Sequence, residues 1–216
     1  MKRACMLFLV GAIFTFVPFT APAAELRPIT LPRPQISGGR PLMQVLKDRS
    51  SSRSFSTEKL SLQTLSNLLW AAFGINRPES GKRTAPSAMN CQDIDIYVAT
   101  PSGLYLFDAR THALTQVLSE DIRALTGTQP YAREAAINLV YVSDISRFTK
   151  VAHENRMIYA AADTGFISQN VYLYCASEGL ATVVRASIDK DKLAKVMKLR
   201  PDQKIILAQS VGYPSR

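Results

Sequence analysis

Residues 49–55 read Arg-Ser-Ser-Ser-Arg-Ser-Phe, two guanidiniums and four hydroxyls within seven positions. They follow Pro-Leu-Met-Gln-Val-Leu-Lys-Asp, a short stretch with helical apolar spacing at Leu42, Val45 and Leu46. Guanidinium groups grip phosphate or carboxylate bidentately, and each charge-assisted hydrogen bond contributes about 1.5–3 kcal/mol. A polar segment at a helix end can therefore converge on one anion, and the competing reading is a solvated loop.

A second candidate is Thr84-Ala85-Pro86-Ser87-Ala88-Met89-Asn90-Cys91-Gln92, directly before a strand-like run. It offers hydroxyl, amide and backbone groups able to read the polar edge of a heterocycle, or simply a turn that caps the strand. Other chemistries lack their signals. The chain has two histidines, His112 and His153, and His153-Glu154-Asn155-Arg156-Met157 carries methionine where a zincin helix needs its second histidine. No metal site is expected. Neither a Gly-x-Ser-x-Gly elbow, a P-loop nor a Gly-x-Gly-x-x-Gly fingerprint occurs.

The elements that must position these loops can be read from periodicity. Residues 61–73 place Leu62, Leu65, Leu68, Leu69 and Phe73 on one helical face, with Ser61 as N-cap and Gly74 as stop. Residues 75–92 read as a long loop. Residues 93–98 alternate as a half-buried strand, and 104–107 return from a turn at 101–103 to make a hairpin. Helical segments are expected near 119–126 and 130–136, a central strand over 137–142 and a long helix over 154–178. Strands at 182–184 and 204–208 enclose a helix at about 189–198. This order indicates α+β rather than a doubly wound sheet.

Two hundred and sixteen residues, 47% hydrophobic and 20% charged, suit one domain with a sizeable core. Lys2 and Arg3 precede an apolar run from Met6 to Phe19, then Ala21-Pro22-Ala23, so residues 1–24 read as a secretory signal peptide. The mature protein is then expected in the periplasm or secreted, with no membrane anchor. Residues 25–40, rich in proline, read as an extended arm, and 41–216 as the domain proper. Removing Lys2 and Arg3 leaves 24 basic against 17 acidic residues and lowers the formal charge from +9 to +7. That excess favours a small anionic partner; the basic residues are too scattered for nucleic acid. Cys91 and Cys175, the cysteines left after cleavage, read as separate thiols in preference to a disulfide.

Taken together and in order, the two loops resemble the nitroreductase family of flavin enzymes. The family's opening Arg-x-Ser-x-Arg/Lys-x-Phe is matched by Arg49, Ser51, Arg53 and Phe55, and its Pro-Ser-x-x-Asn-x-Gln by Pro86, Ser87, Asn90 and Gln92. Gly103 to Asp108 with His112 and Leu114 looks like the branch that includes the SagB-type peptide azoline and thiazole dehydrogenases. Glu178-Gly179-Leu180 and Val211-Gly212-Tyr213-Pro214 extend the resemblance over roughly residues 41–214.

The resemblance implies an FMN-binding homodimer with a central, mostly antiparallel sheet flanked by helices. Arg49, Ser51 and Arg53 would hold the FMN phosphate, ribityl chain or adjacent ring edge. Pro86, Ser87, Asn90 and Gln92 would reach the flavin from the other subunit, and Gln129 would contact its ring or ribityl side. Arg185, Ala186 and Ser187 fall on the family's loop beside flavin N5, where many members have glycine. Arg83 or Arg216 would stand in for basic residues that other members carry beyond the Gly-Tyr-Pro segment. The chemistry would belong to the flavin, with no catalytic side chain. NAD(P)H, the usual donor, is not a normal supply outside the cytoplasm, so the donor and the small or peptide-derived substrate stay open. The rivals are a non-catalytic flavin- or small-anion-binding protein on the same scaffold and a basic extracellular module without cofactor.

Overall fold

The computed structural model describes residues 28–215. The expected signal peptide and Arg216 lie outside them. A seven-stranded sheet, antiparallel at every pairing among the described residues, runs in the order β1-β6-β5-β4-β7-β9-β8. In chain order these strands are β1 (Ile29–Thr30), β4 (Ile94–Thr100), β5 (Gly103–Asp108), β6 (Ala113–Leu118), β7 (Ile137–Asp144), β8 (Ala181–Arg185) and β9 (Gln203–Gly212). A small hairpin, β2 (Ile75–Arg77) with β3 (Lys82–Arg83), stands apart from the sheet.

Strand β7 is interior to the sheet and every one of its residues is buried, as its apolar run requires. It pairs with β4 on one side and β9 on the other. One face packs against the helices α2 (Leu62–Phe73) and α4 (Arg156–Glu178), with Leu68, Leu69, Phe73, Tyr141, Phe148 and Ile167 at its centre. The other face is covered by α5 (Lys190–Val196) and a turn at 122–125, around Val140, Val142, Leu193 and Ile205. The α+β expectation holds.

Local signals act as elementary chemistry dictates at several ends. Ser61 caps α2 by accepting from the Thr64 amide. Gly74 ends it because a Cβ there would lie 2.5 Å from the Trp70 side chain and 2.7 Å from its backbone. The arm runs extended, but β1 adds to the sheet edge, pairing Ile29 with Leu114. His112 holds the arm down, since its ring Nε2 meets Ser66 Oγ at 2.7 Å while Ser66 Oγ donates to the Pro32 carbonyl.

Four expectations are corrected. The long loop at 75–92 contains the β2–β3 hairpin and a 3-10 turn at Ala88–Asn90. Strand β6 was not foreseen, because Ala-Leu-Thr-Gln-Val-Leu does not alternate cleanly. The helical segment at 119–126 shrinks to a 3-10 turn at Arg123–Leu125, stopped before Gly127 and Pro130, and that at 130–136 to one turn, α3 (Tyr131–Glu134).

A buried polar network links three neighbouring strands, β7, β9 and β8. Tyr141 donates to Gln209 Oε1 at 2.6 Å, and Gln209 Nε2 donates to Thr182 Oγ1 at 3.0 Å. Tyr141 and Gln209 are fully buried. Tyr141→Phe strands an acceptor in the core, and urea unfolding should show a loss of about 1–3 kcal/mol.

Candidate functional site

The Arg-Ser-Ser-Ser-Arg-Ser-Phe segment lies along the sheet's outermost strand, β8. A helix of seven residues, α1 (Leu42–Asp48), delivers it. The Ser52 amide then donates to the Thr182 carbonyl, the Ser56 amide donates to the Tyr213 carbonyl, and Phe55 bridges Pro214. The segment thus covers an edge that would otherwise offer unpaired backbone groups. Phe55, buried beside Ala181, Val183 and Tyr131, is its apolar anchor.

One side chain from α4 fixes the polar half of this segment. Tyr172 Oη accepts from the Val184 amide at 2.9 Å and lies 2.8 Å from Ser51 Oγ. With that lone pair taken, its hydroxyl proton is available to Ser51. The Arg49 guanidinium stands 5.2 Å from the Tyr172 ring centroid, a cation–π contact. Neither Arg49 nor Arg53 joins an ion pair among the described residues. A cavity of about 310 Å³ opens here, lined by Ser50, Ser52, Tyr172 and Thr182.

Beyond β8 the chain turns at Ala186 and Ser187, both exposed. Their amides donate to nothing among the described residues, while the Ser187 carbonyl accepts from Thr128 and the two side chains meet at 2.8 Å. This contact brings the segment carrying Gln129 alongside, and Gln129 Oε1 is buried without a partner. Arg185 points the other way, into the interior. Its guanidinium donates to Ser210 Oγ, Thr126 Oγ1 and Asn138 Oδ1 at 2.6–2.9 Å, with no carboxylate in that set. Burial pushes it down to about 10. What Arg185 offers the surface is backbone, since its side chain locks the neighbouring strands and loop together.

The second loop is built on a different support. Met89, Asn90 and Gln92 adopt φ of 50°, 55° and 47°, a left-handed backbone that residues other than glycine seldom take. Asp163 of α4 holds the loop by accepting from the Ala88 amide at 2.9 and 3.0 Å. Ser87 Oγ accepts from the Gln92 amide, and the Gln92 side chain accepts from Arg83 Nε and donates to the Gly81 carbonyl. Arg83 packs over Phe73 at 4.5 Å. Pro86 and Asn90 stay exposed.

Of the expected site residues, the structure lays Arg49, Ser51 and Arg53 alongside β8 and sets Arg185, Ala186, Ser187 and Gln129 at or just past its C-terminal end. It places Pro86, Ser87, Asn90 and Gln92 elsewhere. Asp163 and Tyr172, on which the two groups hang, are nine residues apart on one helix, about 14 Å along its axis. Neither was singled out from the sequence. Asp163 left a signal, because it shares the helix stripe of Ala160, Ile167 and Val171, where a carboxylate is out of place.

Burial, and then the neighbouring Asp93 carboxyl, push the Asp163 carboxyl up to about 7. Asp93 is itself buried and accepts from Ser143 at 2.6 Å. The folded chain therefore holds a proton that the unfolded chain, with an ordinary aspartate near pH 3.9, releases. The contribution of this group to stability is greatest below about pH 4, falls as pH rises to about 7 and is level above it. Asp163→Asn keeps an acceptor for Ala88 and a donor for Asp93, so its urea midpoints should lose this slope. A slope equal to that of the wild type would show that Asp163 does not carry it.

Comparison with known proteins bears on the family and the fold. The profile described as the nitroreductase family matches residues 46–213. A candidate nitroreductase of Methanocaldococcus jannaschii is 30% identical over 169 residues, 74% of this chain and 85% of the relative. A crystal structure of a candidate nitroreductase from Ralstonia eutropha JMP134 superposes with a TM-score of 0.85 at 40% identity, covering 94% of this chain and 97% of the other. The Escherichia coli microcin synthetase McbBCD complex shares the fold at 23% identity, with a TM-score of 0.67 over 94% of this chain and 85% of that one.

Proposed function

Since this chain belongs to the nitroreductase family of oxidoreductases, we propose that it is an exported, FMN-dependent member that acts on a small or peptide-derived substrate as a homodimer. The observation that carries the reading is that the edge strand β8 has two arginines without carboxylate partners laid along it and, past its end, a turn with two free amides. That donor set fits FMN. Arg49 and Arg53 supply fixed charge for a phosphate, Ser51 a hydroxyl oriented by Tyr172, and Ala186 and Ser187 amides for a ring edge. The unpaired Gln129 Oε1 adds an acceptor beside them.

FMN, when bound, supplies the hydride chemistry. The chain's part is to grip, orient and shield. Tyr172 sets Ser51 and the β8 backbone in one geometry, while Arg185 stiffens the base of the 186–187 turn.

A second copy is favoured by two features. The shallow cavity at β8 is near the lower limit for a ligand site. The loop bearing Ser87 and Asn90 is rooted about 14 Å away along α4, so a partner is the natural source of that loop for the same cofactor. The side chains left exposed include Leu42, Met43 and Leu46 on α1 and Met157, Ile158 and Phe166 on α4, an apolar set suited to such an interface.

Residues 25–216, titrated with FMN, should turn yellow with about one FMN per chain and sediment as a dimer. Arg53→Ala removes a charge-assisted contact and should weaken FMN binding about 10- to 100-fold. Unchanged affinity in that variant would remove Arg53 from the site. Phe166→Glu should yield monomers that have lost FMN together with the partner's loop; a monomer that keeps full FMN affinity would place the whole site within one chain. NADPH and dithionite, compared as reductants, identify the donor class.

A further inference from the structure

A polar cavity next to the Asn90 loop lies apart from the arginine pair and the turn at β8. It measures about 760 Å³ and lies between the β2–β3 hairpin, the start of β4 and the end of β5. Asn90, Cys91 and Gln92 form one wall, whereas none of residues 49–53 or 185–187 lines it.

Its charges do not cancel. Arg83, Arg110 and Arg147 face two carboxylates, Asp95 and Asp108. Both carboxylates are already engaged. Arg147 takes Asp95 with one terminal nitrogen 2.9 Å from each oxygen. Asp108 closes its own turn, accepting from the Arg110 amide at 2.8 Å and from Thr111 Oγ1 at 2.7 Å. Arg83 and Arg110 thus remain without an ion pair among the described residues.

Arg83 is also preset. Phe73 lies beneath its guanidinium, Nε donates to Gln92 and one terminal nitrogen donates to the Phe73 carbonyl at 3.0 Å. The other terminal nitrogen has no protein partner among the described residues. Burial lowers this guanidinium, as expected of a cation that has lost hydration without gaining a carboxylate. The floor is apolar, with Ile94, Ile96, Leu106 and Phe107.

We propose that this cavity is a second ligand site, for a small molecule that sets a carboxylate or phosphate against Arg83 and Arg110 and an apolar body against Ile96 and Phe107. Its volume lies within the range of small-molecule sites. Because Gln92 belongs to both the cavity wall and the left-handed loop, occupancy would also steady Ser87 and Asn90.

The test is calorimetric titration of residues 25–216, preloaded with one equivalent of FMN, with inorganic phosphate and separately with benzoate. Saturable binding of either probe, with Kd on the order of 1 mM or tighter, is expected. Arg83→Met should weaken it about tenfold or more. Arg110→Met, at an exposed position with little bearing on folding, should do the same, while Lys195→Met, exposed on α5 across the sheet from the cavity, should not. A preference for phosphate or for benzoate identifies the head group, and either supports the site. The proposal is overturned if neither probe saturates, if Arg110→Met binds like the wild type, or if Lys195→Met alone abolishes binding. Should the chain fail to bind FMN yet take a probe in an Arg110-dependent way, the cofactor reading fails and this one stands.

Discussion

The seating of α4 on the sheet is the constraint on which the rest depends. Twenty-three residues of helix must bury one stripe over β7 and its neighbours. That stripe includes Ala160, Ile167, Val171 and Cys175, apolar as packing demands, but also Asp163 and Tyr172. Once the helix is seated, those two side chains have fixed positions, and each captures a backbone amide of a loop or strand that could not hold its shape alone. Asp163 takes Ala88, and Tyr172 takes Val184.

These captures explain why two stretches without regular structure have defined geometry. The loop at 88–92 sustains three left-handed residues, a conformation that costs free energy at each. It persists because Asp163, Ser87, Arg83 and Gln92 tie it from both sides. The proton that burial and Asp93 favour on Asp163 couples the loop's support to pH. At the other end, Arg185 is a buried cation held through its two terminal nitrogens by neutral oxygens, with its Nε left without a partner among the described residues, an arrangement with its own desolvation cost. Gly127 makes it possible, because a Cβ there would lie 2.2 Å from Arg185 Nε. Strain and buried charge thus collect around the two candidate loops, while the apolar core beneath them is ordinary.

The charge distribution is economical in the same sense. Acidic residues near the sheet ends are mostly spent on structural arginines: Asp95 on Arg147, Asp144 on Arg200, Asp121 on Arg123. Of the arginines left over, Arg83 and Arg110 line a cavity, and Arg49 and Arg53 lie along the edge strand β8. A chain with 26 basic and 17 acidic residues must leave some cations unpaired, and where it leaves them indicates where anions are received.

By itself the sequence determined the elements with strong periodicity: α2 with its Ser61 cap and Gly74 stop, the buried β7, the long α4, and the two motif loops that point to the family. These rest on local propensity and on motif chemistry, which spacing preserves. It did not determine β6, β1 or the β2–β3 hairpin, whose pairing partners lie far along the chain or whose alternation is weak. Nor did it show that Arg185 turns inward, that Tyr172 and Asp163 organise the loops, or that Arg83 is bound to Gln92 instead of standing beside Arg53. Those outcomes depend on which face of a strand or helix meets which neighbour, and only tertiary packing decides that.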